Sequence, residues 1–197
     1  MKRKTRKVVF TLAVVGLAAV AVAFAVYSAF SATTSNPGNS FAAGSVTLTG
    51  NNTASAFYNV SGAKPGDSST AKCMRVTYSG SLPSTVKVYR SAFTGGSGLD
   101  QYLNLAITKG PTGSATDCSD FPTAGTSVVY SGTLQGLGTS FGDANAVSLT
   151  NQSGAPAWGT SDAVTYKVQA SLPSGVSNTA NGLATGTHSI TWEAQNN

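Results

Sequence analysis

The chain has 197 residues, only 10% of them charged, with a formal net charge of +5 and a pI near 9.3. Five of its 12 Lys and Arg residues fall in the first seven positions, MKRKTRK, and all 7 Asp and Glu residues lie later, so beyond that cluster the basic and acidic residues balance. The basicity belongs to the leader alone, which removes the basic patch that a nucleic-acid-binding protein would need.

Residues 8–30, VVFTLAVVGLAAVAVAFAVYSAF, are apolar except for Thr11 and Ser28. A positive n-region, an apolar h-region and small residues beyond it describe a secretory signal peptide, although the run is also long enough to span a bilayer as a helix. The expectation is a signal peptide over residues 1–29, cut after Ala29 or after Ser31 with Ala29 three residues before the cut. The alternative is a retained anchor, in which case the uncleaved signal is the only membrane contact. The positive cluster stays on the cytoplasmic side, so the remainder of the chain is exported.

Residues 31–50, SATTSNPGNSFAAGSVTLTG, carry no charge and end in alternation through Val46 and Leu48. The segment 30–44 therefore reads as an extended amino-terminal stretch ahead of a folded domain at 45–197. Roughly 165 exported residues suffice for one domain with a real core. So few charges leave little to keep sheet edges apart, which suits a protein that associates.

Period-two alternation recurs between Gly, Pro, Asn and Asp clusters, and no window of helical length shows an apolar i, i+3, i+4 pattern. In chain order the predicted strands are SVTLT; ASAFYNV, with Ala56, Tyr58 and Val60 inward; AKCMRVTY, with Met74, Val76 and Tyr78; and STVKVYRSAF, with Val86 and Val88. Then follow QYLNLAITKG, with Leu103, Leu105 and Ile107; SVVYSGTL, with Val128 and Tyr130; AVTYKVQASLP, through Val164, Tyr166 and Val168; and HSITWEAQ, with Ile190, Trp192 and Ala194. A tight turn is expected at KPGD and a short helix around residues 99–103 capped by Ser97 or Gly98. About eight strands, each with one apolar face, predict an all-β jelly-roll sandwich.

In an exported chain the two cysteines, Cys73 and Cys118, read as a disulfide, against the alternative of a buried and a reactive free thiol. Constellations for catalysis are missing: His188 is the only His and Glu193 the only Glu, so no two-His zinc site can form, and no G-x-S-x-G elbow or phosphate-binding Gly loop occurs. The protein is expected not to be an enzyme and to need no cofactor or catalytic metal. Asp117 and Asp120 are candidates for a loop Ca²⁺ site, or else for a solvated turn. LPST at residues 82–85 is similar to a wall-sorting signal but is followed by Val86 rather than Gly.

The signal running into AFSATTSNPGNSFAAGSVTL, the turn GAKPGDSS followed by a strand and YSGSL, and the closing SITWEAQ resemble, in that order, the TasA/camelysin (CalY) family of exported bacterial biofilm-matrix proteins. The resemblance runs the length of the exported chain; the two cysteines and the charge, much lower than that of TasA itself, depart from it. It implies a jelly roll, signal removal by a SipW-type peptidase, and head-to-tail homopolymerisation into extracellular or cell-surface fibres, with a matrix polysaccharide or an anchor protein as further partners. It also implies a donor strand, which here starts near Phe30 and runs through Ser31, Ala32, Thr33 and Thr34 towards Phe41. The competing expectation is a monomeric or membrane-tethered adhesin, in which Trp158 or Tyr102 would stack on sugar if exposed; the alternative for both, and the favoured one, is an aromatic packed in the core or against a loop.

Overall fold

Alternation along the strands sorts side chains into one shared interior. In β2 (Lys72–Tyr78), Met74, Val76 and Tyr78 are buried while Arg75 and Thr77 between them are only partly covered. In β3 (Ser84–Thr94), Val86 and Val88 are fully enclosed, and in β8 (Ala163–Ser171) so are Val164, Tyr166 and Val168. The computed structural model describes residues 43–196, and their architecture is two antiparallel sheets packed face to face. The expected signal peptide, its cleavage at Ala29 or Ser31, and the donor residues Phe30, Ser31, Ala32, Thr33, Thr34 and Phe41 lie outside the described residues.

One sheet is ordered β1 (Leu48–Gly50), β2, β8, β4 (Asn104–Gly110), β5 (Ser127–Thr133). In the other, β3 is central: β6 (Val147–Leu149) and β7 (Ala157–Trp158) pair with successive parts of one of its edges, and β9 (Thr187–Asn196) pairs with the other. Tyr78, Tyr166, Trp158, Leu105, Ile107 and Leu149 fill the space between the sheets.

Several local readings change. The stretch 54–60 is not a strand: Ala56 and Val60 are exposed, Phe57 rather than Ala56 packs inward beside Tyr58, and the segment lies in a long connection from β1 to β2. In β5 the register against β4 shifts between Ile107, opposite Tyr130, and Thr108, opposite Val128. Val129 is the extra residue of this bulge, so Val128 turns outward at 63% exposure while Val129 and Tyr130 face the core. Of the two readings of Trp158 the structure shows the core one: it is fully buried, its indole N–H donating to the Leu149 carbonyl at 3.2 Å. The short strands β6 and β7 had no alternation long enough to mark them. The predicted helix is a single 3₁₀ turn, Leu99–Gln101, preceded by Gly98 at φ 98°, a conformation that favours glycine.

Cys73 and Cys118 are bonded, with Cα atoms 5.1 Å apart and a sequence separation of 45. The bond ties the loop after β4 to β2, and the Cys73 N–H donates to the Thr116 carbonyl beside it at 2.9 Å.

Candidate functional site

The connection between β1 and β2, residues 51–71, has firmly fastened ends. At one, Arg75 N–H donates to Asn51 Oδ1 at 2.8 Å and Asn52 Nδ2 donates to the Cys73 carbonyl at 3.2 Å. At the other, the Gly66 N–H donates to the Leu172 carbonyl at 2.7 Å, the Leu172 N–H to the Asp67 carbonyl at 2.8 Å, and the Ala170 N–H to Ser69 Oγ at 3.0 Å. The Lys64 N–H also donates to Asp67 Oδ2 at 2.7 Å, closing the KPGD turn. Between these fastenings, residues 53–63 make no backbone hydrogen bond among the described residues. Two aromatic side chains hold this strap, and they are the only ones in it that are not exposed: Phe57, whose ring centroid lies 5.7 Å from that of Trp192, and Tyr58, whose hydroxyl is 2.5 Å from His188 Nε2.

Both anchors rest on β9. Its even-numbered residues face inward, and Ile190, Trp192 and Ala194 pack against the core yet are only partly buried. This half-coverage follows from position: β9 is an edge strand, bonded to β3 on one side and, among the described residues, to no strand on the other. A cleft of about 720 Å³ opens there. Leu48, Met74 and Val76 contribute to one wall, Ile190 and Trp192 to the other, and the strap bounds it as well. Asp67 is the one formally charged residue lining it, and its carboxylate is engaged in the KPGD turn.

The electrostatics at the His188 end follow from burial. Desolvation lowers the His188 pKa; Arg90 lowers it further, while the Gly186 carbonyl and Asp100 work the other way. Nδ1 lies 3.3 Å from the Gly186 carbonyl, so the neutral tautomer with its proton on Nδ1 leaves Nε2 to accept from the Tyr58 hydroxyl. Burial raises the Tyr58 pKa, which keeps that hydroxyl a donor. Phe93 stacks on the other side of the imidazole at 5.5 Å between centroids, and Arg90 lies over Phe93 while pairing with Asp100 at 3.4 Å. On the outer face of β9, Tyr89 donates to Glu193 at 2.5 Å; burial and this carboxylate push Tyr89 up to about 12.

Trp192, which lines the cleft, has its ring 5.7 Å from that of the buried Tyr166. Trp192 Nε1 and the Tyr166 hydroxyl are buried with no hydrogen-bond partner among the described residues. Leaving such a group unpaired costs about 1–3 kcal/mol.

Of the two readings of the Asp117 and Asp120 loop, the structure shows the Asp-rich turn. Asp120 accepts from the N–H groups of Ser114 at 2.8 Å and Ala115 at 2.9 Å, and Asp117 accepts from that of Ser119 at 3.0 Å. These bonds hold both carboxyls below their usual range. The two aspartates organise the loop that carries Cys118, and among the described residues no group of three or more His, Cys, Asp or Glu is placed to hold a metal. Tyr102 is partly buried behind the 3₁₀ turn.

Phe57 and the Tyr58–His188 contact were not legible in the sequence, because a 130-residue separation leaves no local signal. The available hint was a pair of adjacent aromatics in a charge-free stretch closed by a KPGD turn. No protein-family model matches the chain, and no curated protein matches its sequence.

Proposed function

We propose that the exported protein is a non-catalytic structural subunit of extracellular fibres, assembled head to tail by strand donation from the amino-terminal segment of one copy into the next. The observation that carries this reading is β9, a ten-residue edge strand open on one side among the described residues, above a half-covered cleft of mixed polar and apolar lining whose one formal charge, Asp67, is engaged in its own turn. An edge of this kind is a template for another strand, whose backbone groups pair with it while alternate side chains enter the cleft. The segment 30–42 suits that role chemically: it carries no charge, and its Phe30 and Phe41 are the large apolar residues available to fill pockets. Fully extended, residues 30–41 reach about 40 Å, against about 33 Å for the ten residues of β9. A contact of this heterologous type does not close on itself and yields filaments.

The proposal includes signal removal by a SipW-type peptidase, since a membrane-tethered segment is not free to donate, and a location in the extracellular matrix or on the cell surface, where a polysaccharide or an anchor protein would join the fibre. We also read the sandwich as a jelly roll of the TasA/camelysin kind. What supports this is the insertion of β8 between β2 and β4, which requires the chain to cross between sheets rather than meander.

Electron microscopy of purified exported protein tests the reading. Filaments with a subunit-sized repeat are expected, and none from protein that lacks residues 30–39. Dispersed particles at high concentration, or fibres from the truncated protein, would overturn it; dispersed particles would favour a monomeric adhesin.

A further inference from the structure

We propose that residues 53–63 act as a displaceable strap that occupies the β9 cleft in the single subunit and must leave before a strand from a second copy can seat there. This rests on the strand-acceptor reading above and adds its regulation.

Three observations carry it. First, the strap is attached to the cleft by side chains alone. Its ends are held by the bonds at Asn51, Asn52, Gly66 and Ser69, while residues 53–63 contribute no backbone hydrogen bond among the described residues. Swinging it out breaks one hydrogen bond, Tyr58 to His188, and the packing of two rings, and leaves every sheet ladder intact. A connection of 21 residues without regular structure is long for a compact domain, and such loops are commonly lids.

Second, the strap is an imperfect occupant. It covers Trp192 with Phe57 but supplies no acceptor to the buried indole N–H. A strand lying along β9 brings a row of backbone carbonyls to the same place, so exchange of strap for strand offers Trp192 the partner it lacks.

Third, the strap and the segment 30–42 share their chemistry. TASAFYNVSGA and FSATTSNPGNSFA are both free of charge, built mainly of Ser, Thr, Asn, Gly and Ala, with Val60 in the first and Pro37 in the second, and provided with two aromatic residues each. The strap is thus a local copy of the chemistry that the cleft is proposed to receive, present at the high effective concentration of a tethered ligand.

The strap is therefore an intramolecular competitor. The fraction of subunits able to accept a strand is the fraction with the strap open, and weakening the strap raises that fraction and the assembly rate by the same factor until most subunits are open.

The test uses the complete exported protein and two readouts. Trp158 is fully buried, so acrylamide quenching of fluorescence in dilute, unassembled protein reports on Trp192. Assembly is followed by light scattering. Phe57→Ala is expected to raise the quenching constant of the single subunit and to speed assembly by about tenfold. Tyr58→Phe keeps both rings, removes only the bond to His188, and moves both readouts the same way by less; it serves if Phe57→Ala does not fold by circular dichroism. Unchanged quenching in both variants would overturn the proposal, because the strap would then not cover Trp192. Raised quenching with unchanged or slower assembly would overturn it as well, because the strap would not gate acceptance. Absence of assembly in wild type and variants alike would instead bring down the fibre reading, and the gating role with it, while quenching still reports whether the strap covers Trp192.

Discussion

The Tyr58 hydroxyl meets His188 Nε2 at 2.5 Å, and among the described residues this is the one hydrogen bond between the strap and the edge strand β9. It joins the strap to an edge that no second described strand covers, and its partner is the only histidine in the chain. The contact is consequently sensitive to acid.

Burial lowers the pKa of His188 below its usual 6.5, so the unfolded or strap-open state binds the proton more readily. The stabilisation is fully present above about pH 6.5 and is lost as the pH falls through the depressed folded value. Arg90 from β3 reinforces the direction, whereas Asp100 beside it and the Gly186 carbonyl oppose it, and Phe93 and Tyr58 complete the surroundings. Trp192 quenching in the single subunit is expected to rise on acidification from pH 7 to 5. His188→Gln should flatten that profile; an unchanged profile in this variant would assign the sensitivity elsewhere.

The bond between Cys73 and Cys118 closes a long loop and restrains the unfolded chain. In the chain-entropy account a closure across 45 residues is worth about 4 kcal/mol. Cys118→Ser, which leaves the buried Cys73 in place, is expected to lower the unfolding free energy by about 2–4 kcal/mol in urea titrations of the purified, oxidised protein. A change near zero would mean that the aspartate-braced loop holds its position without the covalent link.

Trp158 sits at zero exposure beneath β6, so its ring is structural. Trp158→Ala should cost about 3–5 kcal/mol through the cavity left and the unpaired Leu149 carbonyl. Thermal unfolding checks it, and a loss under about 1 kcal/mol would contradict the packing described.

Trp192 behaves differently because its N–H is already unpaired. Trp192→Phe removes a buried orphan together with some ring area, and the two effects oppose each other. The single subunit is expected to remain within about 1 kcal/mol of wild type by urea titration, while assembly weakens if the indole N–H gains a carbonyl partner there. Equal assembly of variant and wild type would argue that the N–H stays unpaired in the fibre.

Strands whose alternation is uninterrupted and whose inner face is fully covered were readable in advance: Met74, Val76 and Tyr78 in β2, and Val164, Tyr166 and Val168 in β8, point where period two puts them. The even pair of cysteines, read on the expectation of export, likewise gave the correct link. The strap was misread because Tyr58 and Val60 alternate as a strand does, but alternation cannot report whether a backbone partner exists. Val128 was misplaced because a one-residue bulge at Val129 inverts the faces before it, and nothing local in SVVY marks where the extra residue falls. Leu149 and Trp158 belong to strands of 3 and 2 residues, too short for periodicity to register. The cleft depends on which strands end at an edge, a property of the assembled sheets.

The shortness of β1 has a mechanical meaning. In a fibre of the kind proposed, tension along the donated segment enters each subunit at residue 43 and is first borne by the Ser45–Ser81, Ser45–Leu82 and Thr47–Ser79 bonds and by three residues of ladder against β2. Behind them β2 has six residue pairs with β8 and a covalent tie at Cys73. An overloaded subunit would therefore peel at its amino-terminal ribbon and lengthen by a few residues while its body stayed folded, a yield point that relieves strain and can re-form when the pull ceases.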